Sequence, residues 1–247
     1  QAGAKIQLDD PEIILFVAID GQNAIWGLDL CGNNLGKRSY KVYNHPSALR
    51  GNLLSSVLFL TDVQKKQIVL DPFCKEGSIL IEAALFFTQK SPRFFEKESL
   101  LFSRSPAYKD KIKKLPWEDE KEPKAVKTIF GFDDSLKNLK STKANAKIAG
   151  VDASIQVSKL QVDWLETKFE KASVDRIVTQ PPQFTKYANK KDVSKVLDEF
   201  FYQAEFVLKK NGKLVCVLHT PDQIIEKAKQ FRLHPVSTLE VYAGTQP

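Results

Sequence analysis

From Gln67 onward the chain alternates short apolar runs with helical stretches, and few architectures accommodate that rhythm. Gln67–Leu70 reads as a strand stopped at Asp71-Pro72, and Ser78–Thr88 as an apolar helix. Val126–Phe132 is a second strand, and Leu136–Ala149 a helix closed by Gly150. Ile155–Val157 is a weaker third strand. Val174–Thr179 is a fourth, stopped by Pro181-Pro182. Val193–Leu208 follows as a long amphipathic helix ended by Asn211-Gly212. Lys213–His219 reads as a fifth strand, Pro221–Gln230 as a helix and Leu233–Val241 as a last strand. Such alternation predicts an α/β fold, a doubly wound and mostly parallel sheet covered by helices on both faces. Ligands of such sheets sit beyond the carboxyl ends of the strands. The positions to inspect are therefore Asp71, Asp133 and Gln180.

The first residues follow a different pattern. Ile13–Ile19 and Ala24–Leu30 are apolar runs joined by Asp20-Gly21-Gln22-Asn23, a hairpin signal. Pro46 suits the first turn of a helix, and Leu49, Leu53, Leu54, Val57, Leu58 and Leu60 recur at helical spacing after it. Residues 1–45 are expected to form a hairpin and linker, and 46–247 the main domain. Residues 89–126 are too long for a plain loop and are punctuated by Pro92, Pro106, Pro116 and Pro123, so they read as an insertion.

Charge narrows the partners. The net charge is +7, and residues 89–127 hold eleven Lys/Arg against seven Asp/Glu. Lys186, Lys190, Lys191 and Lys195 form a second basic cluster, and Lys37, Arg38, Lys41 and Arg50 a third. An anionic partner, nucleic acid first, is the expectation. No apolar run approaches the roughly 20 residues of a membrane span. Three scattered cysteines offer neither a disulfide framework nor a metal site, and they suit a reducing, cytoplasmic setting. No metal-ligand spacing is present, and His45, His219 and His234 stand isolated.

The strand ends carry the chemistry. Asp71-Pro72-Phe73-Cys74-Lys75-Glu76-Gly77-Ser78 leads into a helix, where backbone N–H groups can approach an anionic or zwitterionic ligand. Asp133 ends the second strand, where an acid can accept from ribose hydroxyls, with Asp134 in the capping neighbourhood. Gln180-Pro181-Pro182-Gln183-Phe184 ends the fourth with a stiff turn that aims the Gln180 amide into a cleft. Each feature alone is also what an ordinary strand-to-helix turn or strand terminator looks like.

Taken together, these segments resemble the methyltransferase domain of the THUMP-associated RNA methyltransferases. That family's first motif reads Asp-Pro-Phe-Cys-Gly-Ser-Gly-Thr and runs into Ile-Leu-Ile-Glu-Ala-Ala, and Asp71–Ala84 matches it at most positions. Leu35–Tyr40, His45–Arg50, Asn145–Val151 and Ser173–Thr179 also match, so the likeness runs from about Ile13 to Val241. It implies a Rossmann-like domain that uses S-adenosylmethionine to methylate guanine N2 in transfer or ribosomal RNA. The family's RNA-capturing THUMP domain would lie upstream. The resemblance implies cofactor contacts at Asp71, Phe73, Lys75, Gly77, Ser78, Asp133 and Asp163. It implies catalytic roles for Gln180, Pro181, Pro182 and Phe184: an amide and a proline carbonyl accept the target amine's hydrogens while the aromatic stacks the base. RNA would lie on Lys37, Arg38, Lys41, Arg50, Lys186, Lys190 and Lys191.

Three motifs depart from the family. Lys75-Glu76 replaces Gly-Ser, and a side chain at a position needing positive φ costs roughly 1–2 kcal/mol. Leu160 stands where an acid contacts adenine, with Asp163 the nearest acid. Gln180 replaces Asn, and the aromatic comes only at Phe184. A second reading therefore stays open: a methyltransferase-like domain without transfer activity that binds RNA or a protein partner. A third, adenine-N6 methylation, shares the fourth-motif logic but draws less from the flanking segments.

Overall fold

The computed structural model describes residues 6–104 and 125–241, so most of the expected insertion lies outside the described residues. β1 (Ile14–Asp20) and β2 (Asn23–Asp29) pair antiparallel with Asp20 opposite Asn23, which leaves Gly21-Gln22 as a two-residue turn. Gly21 adopts φ 58°, the sign that a tight hairpin turn needs at its first central residue. The hairpin stands apart from the main sheet, and Leu15, Ile19, Ile25 and Trp26 on it are exposed.

Next comes α1 (Gly51–Leu60). Pro46 is not in its first turn; it sits in a separate turn closed by the Ala48 N–H on the His45 carbonyl. At Gly51, the first residue of the helix, the chain lies so close to Arg38 and Glu82 that a Cβ would clash with both.

The main sheet follows: β3 (Val69–Asp71), α2 (Ser78–Thr88), a 3-10 stretch Phe94–Ser99, α3 (Leu101–Arg104), β4 (Ile129–Asp133), α4 (Leu136–Ala149) and β5 (Ile155–Lys159). The 3-10 stretch Val162–Thr167, β6 (Val174–Thr179), α5 (Lys190–Val207), β7 (Leu208–Cys216) and α6 (Pro221–Lys229) complete the described chain. The strands run in the order β5-β4-β3-β6-β7, all parallel. The chain therefore winds outward from β3 to one edge, then returns to start again at β6 beside β3. Strand order reverses between β3 and β6, and a ligand crevice opens at their carboxyl ends.

Two buried clusters flank the sheet. Leu54, Leu58, Leu80, Ile81, Phe87 and Leu139 belong to the side of α1, α2 and α4; Leu70, Ile177, Leu197, Phe200 and Phe201 belong to the side of α5 and α6. α2 is apolar nearly all round because it is enclosed by the sheet, α1 and α4, as a central helix must be. Each of its large side chains, Phe86 excepted because it is exposed, contributes roughly 1.5–3 kcal/mol by burial.

Two expectations fail. Leu233–Val241 forms no strand: Val236 and Leu239 are exposed, so their alternation faces nothing that would bury it among the described residues. β7 begins already at Leu208, and Asn211-Gly212 falls inside it at a register shift against β6. Asn211-Gly212 therefore marks an irregularity within the strand, not the end of the preceding helix.

Candidate active site and nucleic-acid interface

The crevice is built by three strand ends. Asp71 closes β3 and is fully buried; its Oδ1 accepts from the Thr179 hydroxyl at 2.6 Å and the Phe73 N–H at 3.1 Å. Asp71 thus ties β3 to β6 across the switch point. Burial pushes its carboxyl up to about 7, against the pull of the Thr179 and Phe73 hydrogen bonds and the charge of Lys75.

The loop after β3 places its two substituted residues on opposite sides. Lys75 takes φ 50°, the left-handed backbone that glycine would adopt without strain. Its side chain crosses the crevice, and Nζ donates to Gln180 Oε1 at 2.7 Å. Burial lowers its pKa, while Asp71, Glu76 and Asp133 pull the other way. Glu76 turns toward the N-terminal linker, where Oε1 accepts from the Ser78 hydroxyl at 2.7 Å and lies 3.6 Å from Lys41 Nζ. Gly77, at φ 84°, precedes α2 and packs so closely on Thr142 that no side chain fits.

Asp133 closes β4. Its carboxylate accepts from the Lys75 N–H, the Ser135 N–H and the Asn138 side-chain amide, each at 2.9 Å. Ser135, not Asp134, caps α4 by accepting from the Asn138 N–H. Gln180 is buried at the end of β6 with Pro181 beside it. The cleft lined by Asp71, Phe73, Lys75, Ser78 and Gln180 has a volume of about 20 Å³ as it stands. A separate cavity of about 700 Å³ runs along edge strand β5, lined by Phe130, Phe132, Lys143, Lys147 and Phe169, and shares no residue with the cleft.

Asp71, Phe73, Lys75, Ser78 and Gln180 thus converge, while other expected residues lie elsewhere. Asp163 sits after β5 with its side chain exposed, and Gln203 donates only to its backbone carbonyl. Phe184 is half-buried against the α5 side of the core. The exposed aromatic after the turn is Tyr187, 87% exposed, with Lys186 Nζ 4.9 Å from its ring centre. The sequence reading missed it; its signal was an aromatic set among Lys186, Lys190 and Lys191. Those three lysines are exposed, as are Lys37 and Arg50. Arg38 and Lys41 turn inward. Arg38 holds Glu82 bidentately at 2.6 and 3.1 Å, and Lys41 Nζ donates to the Leu49 carbonyl.

Comparison with known proteins places this geometry. The model of the RMKL-like methyltransferase domain matches residues 38–246. The chain belongs to that family. Among the relatives of RMKL-like domains is a tRNA (guanine(6)-N2)-methyltransferase from Methanocaldococcus jannaschii, 32% identical over 229 residues, covering 91% of this chain and 58% of the relative. Another is a ribosomal RNA large subunit methyltransferase K/L from Vibrio parahaemolyticus, 28% identical, covering 72% of this chain and 26% of that protein. The chain therefore spans only part of the curated relatives it matches. Among solved structures, SMU.472 in complex with SAH superposes with TM-score 0.73 at 17% identity, covering 90% of this chain and 56% of that one. The RMKL-like fold is thus clear in both sequence and structure. Among the described residues, no helix is long and apolar enough to cross a membrane.

Proposed function

We propose that this domain is an S-adenosylmethionine-dependent RNA methyltransferase acting on guanine N2 of transfer or ribosomal RNA, in the cytoplasm where such RNA is found. The observation that carries the reading is the place of Gln180, buried at the switch-point crevice where it lines one cleft with Asp71, Phe73 and Ser78.

An exocyclic guanine amine is a weak nucleophile because its lone pair is delocalised into the ring. Gln180 Oε1 accepts one of its hydrogens and the carbonyl of Pro181 a second, which turns the lone pair toward the methyl donor. Catalysis is then positioning and preorganised polarity rather than proton abstraction. Bound S-adenosylmethionine would supply the methyl group on a sulfonium. Asp133 keeps acceptor capacity for a ribose hydroxyl beyond its three N–H donors, since an ionised carboxylate has about four lone-pair sites. Tyr187 and Lys186, Lys190 and Lys191 offer a stacking ring and phosphate contacts outside the crevice.

The turns after β3 and β4 fit a nucleoside cofactor, with Lys75 set against its positive charge and Asp71, Glu76 and Asp133 beside Lys75. The Lys75–Gln180 bridge and the narrow cleft also favour the second reading, a domain that binds RNA without transferring methyl groups. Transfer of a labelled methyl group to bulk RNA separates the two. The natural chain should be active, and Gln180→Ala should lose ~100- to 1000-fold in rate, as when one preorganised polar contact is removed. No transfer by the natural chain at saturating cofactor would leave the binding-module reading standing.

A further inference from the structure

Two of the positions at which the crevice departs from the family pattern, 75 and 180, have side chains that meet there. The longer amide of Gln180 reaches a cation that the family's glycine does not supply. We propose that Lys75 sets the ligand selectivity of the cleft: its ammonium, held on the Gln180 carbonyl at the switch point, favours a neutral thioether over a sulfonium. This rests on the cofactor reading above.

On that reading the two cations would be neighbours. Gln180 Oε1 is the group that positions the accepting amine, and the accepting amine must come within roughly 3–3.5 Å of the transferable methyl. Lys75 Nζ lies 2.7 Å from that same oxygen. A sulfonium bound for transfer would therefore lie near the ammonium, in a cleft also lined by Leu49, Leu54 and Ile79, where the field is weakly screened.

Three acids face Lys75, and each is already committed. Asp71 is bound to Thr179 and Phe73, and burial leaves it about half protonated near neutral pH. Glu76 is turned to Ser78 and Lys41. Asp133 holds three N–H donors. The donors to Asp133 are neutral N–H groups, so its charge balances Lys75 alone; a sulfonium would add a second positive charge there, whereas S-adenosylhomocysteine adds none at sulfur.

Calorimetric titration with S-adenosylmethionine and with S-adenosylhomocysteine tests this, using the natural chain, Lys75→Gln and Lys75→Gly, each first checked for a cooperative thermal transition. The natural chain should hold S-adenosylhomocysteine ten-fold or more tighter. Lys75→Gln, comparable in reach but uncharged, should bring the ratio to within about two-fold, chiefly by strengthening S-adenosylmethionine. Lys75→Gly should tighten both ligands by clearing the cleft. An unchanged ratio in Lys75→Gln, with both ligands bound, overturns the proposal while leaving the cofactor reading intact. Failure of all three chains to bind either ligand overturns that reading and this proposal with it.

Discussion

Lys75 and Glu76 are neighbours, both replace small residues of the family motif, and the fold sends them to opposite sides of one loop. On the linker side, Glu76 meets Lys41 and Ser78, Asn145 bridges Glu76 and Tyr43 through backbone groups, and Glu82 is enclosed by Arg38, Tyr40 and Ser55. Every charge there has a partner. On the crevice side, Lys75 donates to a neutral amide, and the buried Asp71 carboxyl accepts from a hydroxyl and an N–H, with the charge of Lys75 nearby. The linker side is arranged for stability. Burial shifts Tyr40 and Lys41 there as well; what sets the crevice side apart is a buried acid, Asp71, pushed up to about 7 beside a cleft.

The largest expected effect lies on the linker side. Arg38 and Glu82 side chains are 8% and 1% exposed, so Arg38→Ala would strand a buried carboxylate. It should cost about 3–5 kcal/mol in denaturant unfolding. Replacing both partners by leucine should recover most of that loss. A small loss in Arg38→Ala would show that water reaches Glu82 and that the two sides do not differ as drawn.

The next effect lies in the crevice and depends on pH. Asp71 has a folded pKa of about 7 against 3.8 unfolded, so the folded state binds more protons between these values. Stability from this group is then fully present below pH ~4 and is lost as pH rises through ~7, by about 4 kcal/mol in all. Asp71→Asn keeps an acceptor for Thr179 and Phe73 without the charge. Its stability relative to the natural chain should therefore rise from pH 5 to pH 8 in parallel denaturation curves. A pH-independent difference would place the Asp71 carboxylate in a far more polar environment.

Much of this was legible in the sequence, because hydrophobic period and turn chemistry are local. α2 and α4 lie where their apolar runs and Gly150 placed them, and the positive φ of Lys75 follows from the glycine it replaces. What failed was non-local. Arg38 and Lys41 looked like surface charge because their partners, Glu82 and Glu76, are 44 and 35 positions away in the chain. Phe184 looked like a stacking ring, yet the turn after Pro182 leaves it against the α5 side of the core. The contact of Lys75 with Gln180 spans 105 residues, and only the strand order brings it about.

A smaller effect concerns the aromatic exchange. Tyr187→Ala should weaken single-stranded RNA binding by about 1–3 kcal/mol in a fluorescence titration, the worth of one stacked base. Phe184→Ala should instead lower stability, by the roughly 3–5 kcal/mol of a fully buried ring discounted for its half exposure, and leave affinity little changed. The opposite pattern would return Phe184 to the base.

The smallest effects compare lysines facing out with lysines facing in. Lys186, Lys190 and Lys191 are exposed beyond the crevice turn, free to meet phosphates, whereas Lys41 is committed to Glu76 and the Leu49 carbonyl. Counterion release makes each neutralised phosphate of a single strand worth a slope of ~0.7 in log affinity against log salt. Single alanine substitutions at Lys186, Lys190 or Lys191 should each flatten that slope by up to this amount and barely move the unfolding midpoint. Lys41→Ala should do the reverse, because removing it exposes no phosphate contact and leaves Glu76 without its cation. Should Lys41→Ala flatten the salt slope as much as Lys190→Ala does, the inward turn of the linker would not persist with RNA bound. The division between a structural and a functional side of the loop would then belong to the free domain alone.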